Sequence, residues 1–273
     1  MASPCEVLIQ SSSESDARKI TDLVCGEAAR IEMKYSRYRD DNLVSKIHQH
    51  QPVRVDTETA RLLDFADTAY SLSDKRFDIS SGILRKLWSF TESAKVPSRA
   101  QLKLLLPYIG WDKISWDGAI ISVPEGMEID FGGFAKEYAV DSALNLVGSS
   151  FEHPVLVNFG GDLAANKPPI SRDTWSVGVR KVSNSSKTAS FKFKSGAIAT
   201  SGNRYRYIYH KGKKLSHILN PQTGWPVSNA PVSVSVAMNN CLQAGLFSTL
   251  ASLLGKDAEQ FLTDQEVEHW VQR

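Results

Sequence analysis

The stretch "MEIDFGGFAKEYAVDSALNLVG" (127–148) decides the fold class, because its character changes midway. Its first residues read as a short strand, the paired glycines as a tight turn and the rest as a helix ending at Gly148. "HPVLVNFGGDLAA" (153–165) repeats the arrangement of strand followed by double glycine. Further on, strands are expected over 175–182, 189–193, 197–200 and 232–237, with a hairpin over 205–218. "CLQAGLFSTLASLLG" (241–255) reads as a helix, and "DAEQFL" (257–262) begins a last short one. Upstream, a Ser/Asp capping cluster precedes Ile20, Leu23, Val24, Ala28 and Ile31 at helical spacing. A second helix is expected over 57–72, and a third from Ser98 that Pro107 stops. "KISWDGAIISV" (113–123) reads as a hairpin with a primed Asp117-Gly118 turn. Helices and strands mix without regular βαβ alternation, so the class is α+β rather than a doubly wound sheet. No composition shift marks a linker, so residues 1–273 are expected to form a single domain.

The 273 residues carry a formal net charge of +2, with 42% hydrophobic and 23% charged residues. That balance gives no electrostatic argument for nucleic acid or an anionic membrane. No run approaches the roughly 20 apolar residues needed to span a bilayer. Cys5, Cys25 and Cys241 are odd in number and widely spaced, which gives neither a disulfide framework nor a CxxC metal site. "MASP" before Cys5 has no basic start and no apolar core of a leader, so a cytoplasmic location is expected. One local exception in charge is "RYRYIYHKGKK" (204–214), which carries five Lys/Arg. It suits either a solvated hairpin or a surface that meets a phosphate or an acidic partner.

Neither glycine pair meets GxGxxG or the P-loop pattern. Paired glycines before a helix still leave backbone N–H groups free for an anion, and otherwise make a structural turn. Lys136 lies in the first turn of its helix, where a cation opposes the helix dipole, so a nearby negative charge is expected. "ATSGNRY" (199–205) offers Thr200, Ser201 and Gly202 as a backbone-and-hydroxyl pocket, without the GxSxG of a nucleophile elbow. In "KLSHILNPQTGWPV" (214–227), His217 precedes a rigid Asn-Pro-Gln-Thr-Gly turn. Such a turn suits either a packed histidine or a general base held at a fixed angle.

Taken in order, these segments resemble the ApbE family, the FAD:protein FMN transferases. The blocks are "MASPCEVLI" (1–9), "KYSRYRDDN" (34–42), "RFDISSGILRKLWSF" (76–90), "IDFGGFAKEYAVD" (129–141), "VLVNFGGDLAA" (155–165), "IATSGNRYR" (198–206) and "LSHILNPQTGWPV" (215–227). The resemblance implies an α+β fold of two intertwined lobes with FAD in the cleft between them. It implies Mg²⁺-dependent transfer of FMN from FAD to a Ser/Thr hydroxyl of an acceptor flavoprotein, with release of AMP. That acceptor would carry a D-x-x-[ST]-G-A-[ST] motif. By position, Met1, Ser36, Tyr38, Trp88, Asp130, Lys136, Ser201 and Ile218 would line the FAD site. His217 would be the base, with a pKa near the reference of about 6.5. Gly133, through its carbonyl, and Thr249 would ligate the metal.

The chain departs from the family pattern at three positions. Gly245 stands where the metal helix usually has Asp, Glu137 where many members have Gly, and Asn220 where they have Asp. Loss of the Asp should weaken Mg²⁺ binding, with Asp130 and Asp162 as unranked replacements. "DISSGI" (78–83) only partly echoes the acceptor motif and belongs to a scaffold block. Two other readings follow from Gly245 and from the chemistry: a non-catalytic FAD-binding module, and a pyrophosphatase splitting FAD to FMN and AMP.

Overall fold

The computed structural model describes residues 3–91, 95–179, 189–203 and 206–273. In chain order it begins with β1 (Cys5–Ile9), α1 (Glu14–Tyr35), α2 (Leu43–Ile47), β2 (Val53–Arg54) and α3 (Thr57–Leu72). A 3-10 segment (Ile79–Lys86) precedes α4 (Arg99–Leu105), β3 (Ser115–Trp116), β4 (Ile120–Ser122) and α5 (Ala135–Ser150). Then come β5 (Val155–Phe159), β6 (Asp162–Ala165), β7 (Trp175–Val179), β8 (Ala189–Phe193) and β9 (Gly196–Gly202). The chain finishes with β10 (Tyr207–His210), β11 (Lys213–Ser216), β12 (Ser233–Met238), α6 (Cys241–Leu254), α7 (Ala258–Asp264) and β13 (Glu268–Gln272).

Among the described residues, six strands form one antiparallel sheet in the order β1-β5-β6-β9-β12-β13. The mixed α+β class is as expected. The N-terminal strand pairs with β5, Val7 opposite Val157, so the two halves of the chain are interleaved. Side chains alternate across each strand. Val155, Val157 and Phe159 enter the main core with α1, α3 and α5, while Leu156, Leu163 and Ile198 pack under the β7–β8 hairpin against Trp175 and Phe191. None of the described helices is long and apolar enough to cross a membrane.

The expected helix starts hold, because their caps are chemical. Ser13, Asp56 and Ser98 accept from the amides of Asp16, Thr59 and Gln101 at the heads of α1, α3 and α4. Three local expectations fail. Residues 127–130 are not a strand; the Asp130 amide donates to the Ile79 carbonyl and the Ile129 amide to His48. Gly148 does not end α5, which runs to Ser150, where the Phe151 amide closes on Val147. The Asp117-Gly118 turn is not primed, since only Gly118 has positive φ and the Asp117 carboxylate accepts from Ala119 and Ile120. The strand expected over 175–182 and the hairpin over 205–218 each run partly outside the described residues.

What positions the site is the turn "DFGGF". Phe131 and Phe134 are 0% and 1% exposed, and sit among Tyr35, Phe65 and Phe77 with ring centroids 4.8–6.1 Å apart. Burying each ring contributes about 1.5–3 kcal/mol, and it leaves Asp130, Gly132 and Gly133 on the opposite side. Phe131→Ala is expected to cost about 3–5 kcal/mol, read as a lower urea midpoint with unchanged slope.

Candidate active site

A cleft of 720 Å³ is lined by segments from both halves of the chain. Ser36, Tyr38, Trp88, Asp130, Gly133, Lys136, Ser201, His217, Ile218 and Thr249 all line it. Met1 lies outside the described residues.

The "DFGGF" turn sets the floor. Asp130 caps it, accepting from the Gly132 amide at 2.8 Å, and its other oxygen pairs with Arg37. Gly82 is needed beside it, since a Cβ there would run into the Asp130 side chain. Arg37 also donates to the Tyr38 hydroxyl at 2.8 Å and stacks on that ring, which is 80% exposed at the mouth. Ser36, at the end of α1, accepts from the Tyr38 amide.

Lys136, second residue of α5, has the negative partner its position calls for. Asp162, 1% exposed, forms an ion pair with it and also accepts from the Thr200 amide at 2.8 Å. The second glycine pair serves this contact in a different way from the first. Gly160 and Gly161 both have positive φ and make the two-residue turn between Phe159 and Asp162. Asp130 and Asp162 are therefore each engaged by a cation and a backbone amide.

Across the cleft, the Ser201 hydroxyl lies 2.8 Å from that of Ser248 and 3.0 Å from that of Thr249. Among the described residues no group of three or more His, Cys, Asp or Glu could hold a metal ion. Any cation here would draw on hydroxyls, carbonyls and single carboxylates. Gly245, one turn before Thr249, has Glu137 packed against it; a Cβ at 245 would lie 2.6 Å from Glu137 Cγ. Glu137 is 9% exposed, and its Oε2 is buried with no hydrogen-bond partner. Burial pushes this carboxyl above its usual range, partly opposed by the Lys136 ammonium.

His217 is half-buried at the base of the β11 turn. Its Nδ1 lies 3.1 Å from the Arg206 carbonyl, which can only accept, so Nδ1 carries the proton and Nε2 keeps its lone pair. Burial, with the Arg206 charge beside it, lowers the imidazole pKa to about 4, below the value near 6.5 expected from sequence. Phe90 meets the ring edge-on. Trp88 is 3% exposed and donates to the Gly224 carbonyl at 2.7 Å, so it holds the wall more than it offers a face. The backbone amide of Ile218 is fixed by the Ser216 hydroxyl. Within the basic hairpin, Arg206 lines the cleft, while Lys211 and Lys213 are exposed. In "DISSGI", Ser80 is buried between Asp78 and the Gly110 amide, as scaffold.

Arg37, Arg76, Arg85 and Arg206 also line the cleft and were not singled out by sequence. All four could have been found, since each sits inside a quoted block.

Comparison with known proteins fits this geometry. The chain is 27% identical over 261 residues to a FAD:protein FMN transferase of Vibrio cholerae, covering 91% of this chain and 77% of that one. It is 27% identical over 263 residues to the FAD:protein FMN transferase of Klebsiella pneumoniae, covering 93% and 80%. The crystal structure of the ApbE protein from Thermotoga maritima superposes with a TM-score of 0.89 at 29% identity, over 98% of this chain and 90% of that one. The model of the ApbE family matches residues 1–271, and the chain belongs to that family.

Proposed function

We propose that the chain is a FAD:protein FMN transferase, moving the FMN half of FAD onto a Ser or Thr hydroxyl of an acceptor flavoprotein. The observation that carries this reading is His217, whose Nε2 lone pair is left free in a cleft lined by Lys136, Arg37 and Arg206. Family members named for this activity cover most of the chain. The proposed acceptor presents a D-x-x-[ST]-G-A-[ST] segment, and the whole chain, 1–273, acts as one catalytic domain. A cytoplasmic site of action belongs to the same reading.

In the proposed reaction Nε2 takes the proton as the acceptor oxygen attacks the FMN-side phosphorus. The P–O bond to the bridging oxygen breaks, and AMP leaves with the electron pair. Little covalent chemistry falls to the protein, so positioning and charge neutralisation dominate. Lys136 and the arginines supply positive charge from the cleft walls. Asp130 keeps the Gly132 and Gly133 backbone in place, and Ser36, Tyr38, Trp88, Ser201 and Ile218 frame the flavin nucleotide. Mg²⁺, when bound, would neutralise pyrophosphate oxygens. The neighbouring hydroxyls of Thr249 and Ser201 suit such a hard cation, with Thr249 and the Gly133 carbonyl as its protein ligands.

His217→Ala is expected to keep FAD binding and lose transfer by about 10²–10⁴-fold, measured by the mass of the acceptor after incubation with FAD and Mg²⁺. Undiminished labelling would remove His217 as the base, and AMP and FMN released without acceptor would favour the pyrophosphatase reading. The lowered pKa also sets a pH profile. An imidazole that titrates at about 4 is neutral above pH 5, so kcat/KM, which reports the free enzyme, should show no His217 limb between pH 5.5 and 8. An acid limb near 6.5 in that profile would contradict the assignment.

A further inference from the structure

Helices α5 and α6 approach each other in a four-residue ladder. Asp141 on α5 accepts from the amides of Cys241 and Leu242, at 2.7 and 2.8 Å, and so caps the start of α6. One turn back on α5 is Glu137, and one turn on along α6 is Gly245, where Glu137 lies. Four residues further in the same directions come Gly133, in the turn that precedes α5, and Thr249 on α6, both on the cleft. The carboxyl of Glu137 therefore sits on the rung between the capping contact and the cleft oxygens.

That carboxyl is only partly accounted for by the fold, through a hydrogen bond with its own backbone amide. It is buried, Oε2 has no partner, and the charged neighbour that moderates it is Lys136, already paired with Asp162. An unpaired buried carboxyl costs stability unless something else satisfies it. The space it occupies exists only because residue 245 is glycine, since a Cβ there would collide with Cγ. Ser248 cannot serve it, since its hydroxyl donates to the Gly245 carbonyl and faces Ser201. A cation held by Thr249, which lines the same cleft, would call for such an oxygen ligand.

We propose that Glu137 is the carboxylate ligand of the divalent cation, reaching from α5 through the gap at Gly245 to the rung of Thr249. Glutamate on one helix and glycine on the other are one arrangement, in which the carboxylate is delivered from the opposite side of the helix pair. This inference rests on the transferase reading for the identity of the cation's other partner, the FAD pyrophosphate.

The test uses the full chain loaded with FAD and titrated with Mn²⁺, the free ion being followed by electron paramagnetic resonance. Wild-type protein should bind one ion, and Glu137→Gln should weaken it by about 10–100-fold. The reciprocal double variant E137G/G245D, which moves the carboxylate across the gap, should bring tight binding back. Melting supplies a second readout. Mn²⁺ at a few times the wild-type Kd should raise the melting temperature of wild type and the double variant, and that of Glu137→Gln much less. In EDTA, Glu137→Gln should melt no lower than wild type, which separates a lost ligand from a damaged fold. Equal Mn²⁺ affinity in wild type and Glu137→Gln, or no ion bound by wild type, overturns the proposal. A wild-type chain that binds Mn²⁺ through Glu137 yet leaves the acceptor unlabelled counts against the transferase reading alone.

Discussion

The cleft depends on one ion pair, Lys136 with the buried Asp162. A carboxylate at 1% exposure is stable only with a cation and further hydrogen bonds around it. Here the cation comes from the head of α5, while the Thr200 amide comes from β9. Asp162 itself follows directly on the Gly160-Gly161 turn. One side chain thus locks together the helix start, the glycine turn and the strand carrying Ser201, three segments that the sequence presents separately. The Lys136 ammonium, also within 3.3 Å of the Phe159 carbonyl, keeps part of its surface toward the cleft. It can neutralise a developing charge without having to move first.

The same economy applies to the other cations. Arg37 is held by Asp130, and Arg85 by Glu128 at 2.6 Å. Paired in this way, Arg37 and Arg85 are oriented before any anion arrives, and their charges are offset in the empty cleft. An incoming pyrophosphate then adds to existing pairs instead of recruiting free side chains, and less rotamer entropy is lost on binding.

How much was legible follows from where the information lies along the chain. Caps and periodic apolar positions are local, so α1, α3, α4 and the central strands could be read directly. Residues 127–130 looked like a strand because Met127 and Ile129 alternate with acids, but their backbone partners are Ile79 and His48, remote in sequence. Strand β13 escaped notice because its residues are mostly polar; it forms by pairing with β12, Val271 opposite Val234. At the site, the motif blocks named the residues that meet in the cleft. They could not show that Glu137 and Gly245 are complementary, because that relation exists only once α5 and α6 are packed. Asp130 and Asp162 looked equally available in sequence, and the fold shows both committed to cations.

The low basicity of His217 follows from the same packing and bears on how the site avoids wasted turnover. At rest the imidazolium is disfavoured twice, by burial and by the Arg206 charge. A pyrophosphate lying among Lys136, Arg37 and Arg206 reverses the second effect, since its negative charge stabilises a proton on Nε2. The proton affinity of the base therefore rises when substrate is in place, and the kcat profile should titrate at higher pH than kcat/KM. Because Nδ1 is tied to a backbone carbonyl, the gain appears at Nε2 and at no other atom of the ring. A base of this kind is weak in the empty cleft and competent in the loaded one, so occupancy by the nucleotide, and not the bulk pH, governs when the hydroxyl is activated.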